Sequence, residues 1–341
     1  MNLDIGTNER FLEYVNGVSK EDNVALVSHI DLDGLASAFI ANKFFKTENI
    51  YFVNYDELNL DLAEELREKG ITKVVFTDLF LGHDNGLLEA LESFAEVLVL
   101  DHHMVPSDKN SPRTVYLKCE NGYCAAYFCY EMFSEVMDLS SCDWIVACAC
   151  ISDFCYEKNS EWMIKTFDNY GQKFSSLTLR QSSFWSLQWT LSLALVYFKD
   201  NIKRVYDSIG NNFGEIGNIK PFAEKVQDEL DILLKRFVSE RRKIPGGWYW
   251  EFSPHFKVGG LVSSIVSGSE QDKTYILVRN EGMYCFVSAR RQNMAQSMVD
   301  LLQSALKDLE NASAGGHIPA AGGHFMKRDL EVVRKRLGVA E

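Results

Sequence analysis

The sequence predicts an α/β protein: a doubly wound, mainly parallel sheet domain, a helical connecting region, and a smaller C-terminal α/β domain with a mixed sheet. Three observations carry this expectation. Over the first 155 residues, short runs rich in Val, Ile and Leu alternate with helix-like amphipathic runs, the pattern of parallel strands covered by helices on both faces. Residues 156–244 read as mainly helical until "IPGGW" (244–248) interrupts them, since Pro and Gly punctuate regular structure. Beyond it lies a hairpin pattern, "KTYILVRNEGMYCFVSAR", with Asn280-Glu281-Gly282 at its turn. The expected domains are therefore 1–155, 156–244 as helical extension and linker, and 245–341.

The elements follow in order. "NVALVS" (23–28) is a strand and "LASAFIANKFF" (35–45) has helical spacing. "IYFV" (50–53) is the next strand, and "LDLAEELREKG" is a helix stopped at Gly70, a residue suited to helix C-termini. "KVVFT" (73–77), a helix near 84–94, "EVLVL" (96–100), "RTVYL" (113–117) and the helix "CAAYFCYEMFSEVM" complete the first domain. The clearest helix of the 156–244 region is "PFAEKVQDELDILLKRFVSERRK", which has Pro221 at its first helical position and basic residues at its end. The strand "WYWEF", a helix from Gly259 to about Ser267, the hairpin, a helix from about Met294 to Leu309 and the glycine-rich stretch "SAGGHIPAAGGHF" follow.

Composition narrows the function. The 341 residues suit two domains at ~100–200 residues each. The net charge of −13 opposes long polyanions, which need clustered Lys and Arg. A phosphate-bearing substrate must then meet a local basic patch or a metal. Eight cysteines, seven of them between 119 and 155, include no Cys-x-x-Cys pair; buried free thiols are the first reading and a zinc site the minor one. "MNLDIGTNERF" has neither a basic start nor an apolar run, and "FWSLQWTLSLALVYF" (184–198) falls short of the ~20 residues a membrane span needs. A cytoplasmic protein with no membrane association is expected; a homodimer is one option.

The acidic and imidazole residues fall at the ends of predicted strands. "SHIDLDG" places His29, Asp31 and Asp33 after the first, Asp78 follows "KVVFT", and Asp101-His102-His103 closes "EVLVL". Open parallel sheets bind ligands beyond the carboxyl ends of their strands. One strand ending in Asp is commonplace, because Asp favours turns. Three such ends holding three of the seven histidines are not. Mixed O/N donors suit manganese, iron, zinc or magnesium, and so many carboxylates without a cation would repel one another. They exceed the needs of one ion, which implies two ions ~3.5–4 Å apart, a shared carboxylate and hydrolytic phosphoester chemistry.

"SHIDLDGLASA", "FTDLFLG", "LDHH", "ACISDF" and "GGHIPAAG" occur in the order seen in the DHH phosphoesterases, and the sequence resembles that family from residue 28 to 323. The family includes RecJ-like exonucleases, oligoribonucleases and phosphodiesterases of cyclic dinucleotides. Its resemblance implies two divalent ions, manganese first, with magnesium or cobalt as alternatives. It makes Asp31 a ligand of one ion and Asp33 of the other, with Asp78 bridging, and His102 and Asp153 completing the second site. Many members carry a ligand histidine four residues before the first motif aspartate, and counting from Asp33 puts His29 there; RecJ-like members aligned on the Asp-Gly have aspartate at that place. His103 would contact the substrate phosphate, with Asp101 in support. Ser152 stands where the family usually has Gly, and Ala314 precedes Gly315-Gly316 where three glycines are common. "GGHIPAAG" resembles the fingerprint of the family's C-terminal domain, so Gly315, Gly316, His317 and Arg290 are the candidate substrate contacts. The "KRFVSERRK" run (235–243) reads as a solvated helix end or a groove lining.

The function expected from all this is hydrolysis of short oligonucleotides or dinucleotides to nucleoside monophosphates. The alternatives are a RecJ-like exonuclease on longer single strands, for which Trp248, Trp250 and Phe252 would be stacking platforms, a non-catalytic nucleic-acid or replication-partner binder, and a polyphosphate or pyrophosphate hydrolase.

Overall fold

The computed structural model describes residues 1–81 and 86–340. It divides into two compact units, 1–223 and 224–341, so the helical stretch expected between two domains is shared out between them. The first unit runs β1 (Leu3–Ile5), α1 (Asn8–Asn16), β2 (Val24–His29), α2 (Leu32–Phe45), β3 (Asn49–Val53), α3 (Leu60–Glu68), β4 (Lys73–Thr77), α4 (Leu87–Glu92), β5 (Glu96–Asp101) and β6 (Thr114–Cys119). The helices α5 (Ala125–Ser134), α6 (Asp143–Ser152), α7 (Ser160–Asn169), α8 (Ser183–Tyr197) and α9 (Ile202–Tyr206) follow. The expected start of the helix near 84 lies outside the described residues, as does Gly82 of "FTDLFLG".

The sheet order is β1-β6-β5-β4-β2-β3, with β1 antiparallel and the rest parallel. Val, Leu and Phe side chains of β2, β4 and β5 are fully or almost fully buried, which explains why those segments read as continuous apolar runs. The chain goes from β2 outward to β3 and then returns to the other side of β2 with β4, so the strand order reverses between β2 and β4. Ligands collect at such a switch point. Register matters as much as order: Ser28 pairs with Thr77, and Thr77 with Leu100. The residues that follow, His29, Asp78 and Asp101, therefore leave the sheet at one level. Ser28 Oγ donates to the carbonyl oxygens of Gly34 (2.6 Å) and Thr77 (3.1 Å), tying the two loops together.

The second unit contains most of α10 (Lys220–Glu240), then β7 (Arg242–Ile244), β8 (Gly247–Phe252), α11 (Gly259–Ser269), β9 (Thr274–Glu281), β10 (Tyr284–Arg290), α12 (Met298–Leu306), β11 (Ser313–His317), β12 (Ala320–Met326) and α13 (Leu330–Arg336). Its sheet is mixed, in the order β11-β12-β10-β9-β8-β7, with only β8 and β9 parallel. Ile276, Val278, Val287 and Ala289 pack with Met298 and Leu302 of α12 and Val333 of α13. The glycine-rich stretch, to which the sequence pattern assigned no element, is the β11–β12 hairpin. Backbone pairing, Gly315 with Gly322 and Gly316 with Ala321, supplies the strand identity that glycine's weak propensity hides. No helix among the described residues is long and apolar enough to cross a membrane.

Candidate metal centre

The loop after β2 turns straight into α2. Asp31 is the N-cap residue, accepting from the Gly34 N–H at 3.0 Å. Gly34 is required there: a Cβ would lie 2.3 Å from the carbonyl oxygen of His29. Asp33, in the first turn, is buried, and its two oxygens accept from the N–H groups of Ala125 and Ala126, both at 2.8 Å. Those are free donors at the start of α5, where a negative charge is favoured. Asp78 follows β4 in the left-handed region, with φ of 56°, and is 1% exposed. Asp tolerates this conformation better than most residues, but it remains a strained one that persists when its surroundings dictate it.

Around Asp78 the candidates fall into three overlapping sets, one of them Asp78, His102 and His103. His29, Asp31 and Asp78 each bring one ligand atom within 4.8 Å of the others, as do Asp33, His102 and Asp153. His29 Nδ1 lies 3.0 Å from Asp31 Oδ2 and 3.6 Å from Asp78 Oδ2. His102 Nε2 lies 3.2 Å from Asp78 Oδ1 and 3.8 Å from Asp33 Oδ2. The two oxygens of one buried carboxylate thus face different imidazoles. Asp78 Oδ2 is buried without a hydrogen-bond partner, an arrangement that calls for a cation or a proton.

The proton positions follow from the neighbours. His102 Nδ1 lies 2.9 Å from the Tyr123 carbonyl oxygen and must donate to it. That leaves Nε2 as the atom turned toward the carboxylates, the orientation a backbone carbonyl imposes on metal-ligating histidines. Without an ion, Nε2 holds a proton: burial alone would lower the His102 pKa, but the Asp78 hydrogen bond and the charge of Asp33 raise it to about 10. His29 behaves alike, desolvation opposed and outweighed by Asp31 and Asp78, at about 10. Burial, reinforced by the Asp78 and Asp153 charges, pushes the Asp33 pKa well up, and burial with the Asp31 charge raises that of Asp78. Asp153 is exposed on its outer surface, yet desolvation of its carboxylate and the charges of Asp31 and Asp78 raise its pKa to about 7. This donor set suits a hard divalent cation, which would displace those protons.

His103 adjoins this cluster, with a ring nitrogen within 4.8 Å of ligand atoms of Asp78 and His102. Its Nδ1 lies 2.8 Å from Oδ1 of the fully buried Asp101, and its Nε2 lies 3.3 Å from the Tyr55 hydroxyl. The Tyr116 hydroxyl reaches Asp101 Oδ2 at 3.5 Å. Sequence reading missed Tyr55 and Tyr116; the usable signal for Tyr55 was its position just past the carboxyl end of β3. It also gave no pattern-based reason to choose Asp153, which ends α6 one residue before Phe154 takes φ of 56°.

In the second unit, Arg290 ends β10 opposite Ala320, with Nε buried and unpartnered, and burial lowers its pKa. Arg291 instead donates to Thr274 Oγ1 at 3.1 Å. Gly315 and His317 are exposed, and Gly316 has φ of 137°. A cavity of about 230 Å³ borders the same hairpin, lined by residues that include Phe252, Gly259, Arg279, Phe286, Gly322 and Gly323. Arg279 lies over the Phe286 ring at 4.8 Å.

No family model and no curated protein matches the sequence. Solved structures do match the fold. An exonuclease RecJ bound to manganese superimposes with a TM-score of 0.69 at 15% identity, over 99% of this chain and 94% of that one. The DHH domain of a member of a ribosomal-protein family gives 0.69 at 14% identity, over 96% and 88%. The chain has the DHH fold. A pGpG-specific phosphodiesterase from Vibrio cholerae shares the DHH fold with it at a TM-score of 0.54 and 13% identity, over 92% and 97%. Both sheets take part in the likeness, since it extends over nearly the whole chain.

Proposed function

We propose that this chain is a divalent-metal-dependent phosphodiesterase that hydrolyses short oligonucleotides or dinucleotides to nucleoside monophosphates. The observation that carries the reading is Asp78, whose two oxygens face two different donor sets from the centre of the switch point. His29, Asp31 and Asp78 would hold one ion, and Asp33, His102, Asp153 and Asp78 the other. Manganese is the first choice, in keeping with the manganese-bound RecJ of the same fold, with magnesium or cobalt as alternatives. Such a pair, when bound, activates a water and neutralises a phosphate's charge.

The chain's own groups do the rest. Asp101 fixes the His103 ring so that it can donate to a substrate phosphate, and the Tyr55 hydroxyl holds the ring's other nitrogen until substrate arrives. Arg290, Gly315, Gly316 and His317 are assigned to the remainder of the substrate, within a C-terminal substrate-binding region. A net charge of −13 favours a short substrate. The RecJ likeness favours a second reading, an exonuclease on longer single strands.

One assay separates them: manganese-dependent hydrolysis of labelled dinucleotides, five-residue oligonucleotides and a long single strand, side by side. Faster turnover of the short substrates supports the proposal, a rate that climbs with length supports the exonuclease, and no hydrolysis of any overturns both.

A further inference from the structure

Three thiols stand behind the carboxylate cluster. Cys124, Cys150 and Cys155 are buried, and their sulfurs all lie within 4.8 Å of one another. Cys124 Sγ and Cys150 Sγ are 3.7 Å apart, far beyond the ~2.05 Å of a disulfide. Two thiolates on a tetrahedral zinc ion, each ~2.3 Å from it, stand about 3.8 Å apart. A fourth group is present: the Asn159 side chain, 4% exposed, has its amide nitrogen 3.3 Å from Cys150 Sγ and 3.9 Å from Cys155 Sγ. Its oxygen is buried without a partner. The two ends of an amide are interchangeable in outline, and turning Asn159 over brings the orphaned oxygen to the sulfurs. An oxygen and a thiolate sharing a tetrahedral zinc lie about 3.6 Å apart, within the range found here.

We propose that Cys124, Cys150, Cys155 and Asn159 form a structural zinc site. Soft thiolate donors select zinc where the carboxylate and imidazole cluster selects harder ions, so the two sites divide the metals between them. The position of the site gives it a purpose. Cys124 caps α5, whose next two N–H groups hold Asp33. Cys150 lies in α6, and Cys155 comes two residues after Asp153. One ion would therefore clamp the start of α5 to the end of α6 and fix the spacing of Asp33 and Asp153.

Cobalt substitution tests this without relying on turnover. The full chain, purified without chelators, should carry one tightly held zinc ion per chain by elemental analysis. Loaded with cobalt, it should show the near-ultraviolet thiolate-to-cobalt charge-transfer band of a three-thiolate site, which oxygen and nitrogen ligands cannot produce. That band should persist in Asp78→Ala and weaken in Cys150→Ser, which leaves two thiolates; a band unchanged in Cys150→Ser would overturn the proposal. If Cys150→Ser does not fold, Asn159→Ala serves instead: the charge-transfer band should stay while the visible cobalt bands shift. Cobalt saturation with no thiolate band would overturn the proposal. So would visible cobalt bands unmoved in Asn159→Ala, or a mass spectrum showing a Cys124–Cys150 disulfide in the purified protein.

Discussion

Asp78 in the first unit and His317 in the second both belong to short motifs, yet their surroundings are opposite. Asp78 is 1% exposed, strained in its backbone and crowded by two imidazoles and by other carboxylates. His317 is exposed at the end of a hairpin strand, and no ligand-forming cluster among the described residues includes it. The difference comes from sheet type. Parallel strands deliver all their following loops to one edge, and a common register stacks those loops at one level. An antiparallel hairpin spreads its residues along an exposed ribbon. The first arrangement suits ion binding and bond cleavage; the second suits holding a substrate through contacts that matter one at a time.

Several substitutions would break or sharpen that contrast. The largest effect should come from Asp78→Ala, which removes the carboxylate proposed to serve both ions: hydrolysis should fall to background and bound manganese should drop, with the fold retained by circular dichroism. Substantial residual turnover would sink the bridging role. Next is the pH response. The folded-state pKa of Asp153, about 7, stands above its ordinary value of 3.8. The chelated native protein therefore binds more protons than the unfolded chain, and stability present below the ordinary value is lost as pH rises to about 7. His29 and His102, raised from 6.5 to about 10, extend the same loss to higher pH. An ion competes for the same positions, so manganese affinity should climb with pH across this window, with proton release seen by calorimetry in two buffers. A flat affinity would mean that the ion displaces no proton from Asp153, His29 or His102, and would remove all three from the ligand set.

Smaller effects follow. Asp101→Asn should leave bound manganese unchanged and cut turnover roughly 10–100-fold, the usual cost of losing a group that orients a site imidazole. Arg290→Ala should raise KM by roughly 10–100-fold, the equivalent of a charged hydrogen bond of about 1.5–3 kcal/mol, without changing metal content; a loss of metal would move Arg290 out of substrate binding. The smallest pair concerns backbone alone. A Cβ at Gly316 would meet the Ala320 carbonyl oxygen at 2.5 Å with φ of 137°, whereas one at Gly315 meets nothing. Gly316→Ala should cost about 1–3 kcal/mol in thermal or denaturant unfolding, and Gly315→Ala within about 0.5 kcal/mol.

Much of the first unit was legible because its signals are local. Val- and Leu-rich runs followed by Asp or His mark strands and their carboxyl ends, and Asp31, Asp33, Asp78 and His102 could be chosen on that ground. β1 was missed because three residues carry no periodicity, and the β11–β12 hairpin because glycine argues against a strand until a partner strand is known. Asp153 ends an apolar helix, where an Asp is ordinary; family resemblance, not pattern, brought it forward. Tyr55 was marked only by its place just past β3, and the crowding of seven cysteines between 119 and 155 could not say which three of them meet.

The sequence by itself determined which residue types stand at the strand ends, because alternating burial and turn chemistry act over a few neighbours. Tertiary structure alone decided which of them meet. The order β5-β4-β2 and the pairing of Ser28, Thr77 and Leu100 set Asp78 between His29 and His102. The packing of α5 against α6 brought Cys124 to Cys150. Register and helix packing are long-range choices, settled by burying one apolar face against another, and no short stretch of chain contains them.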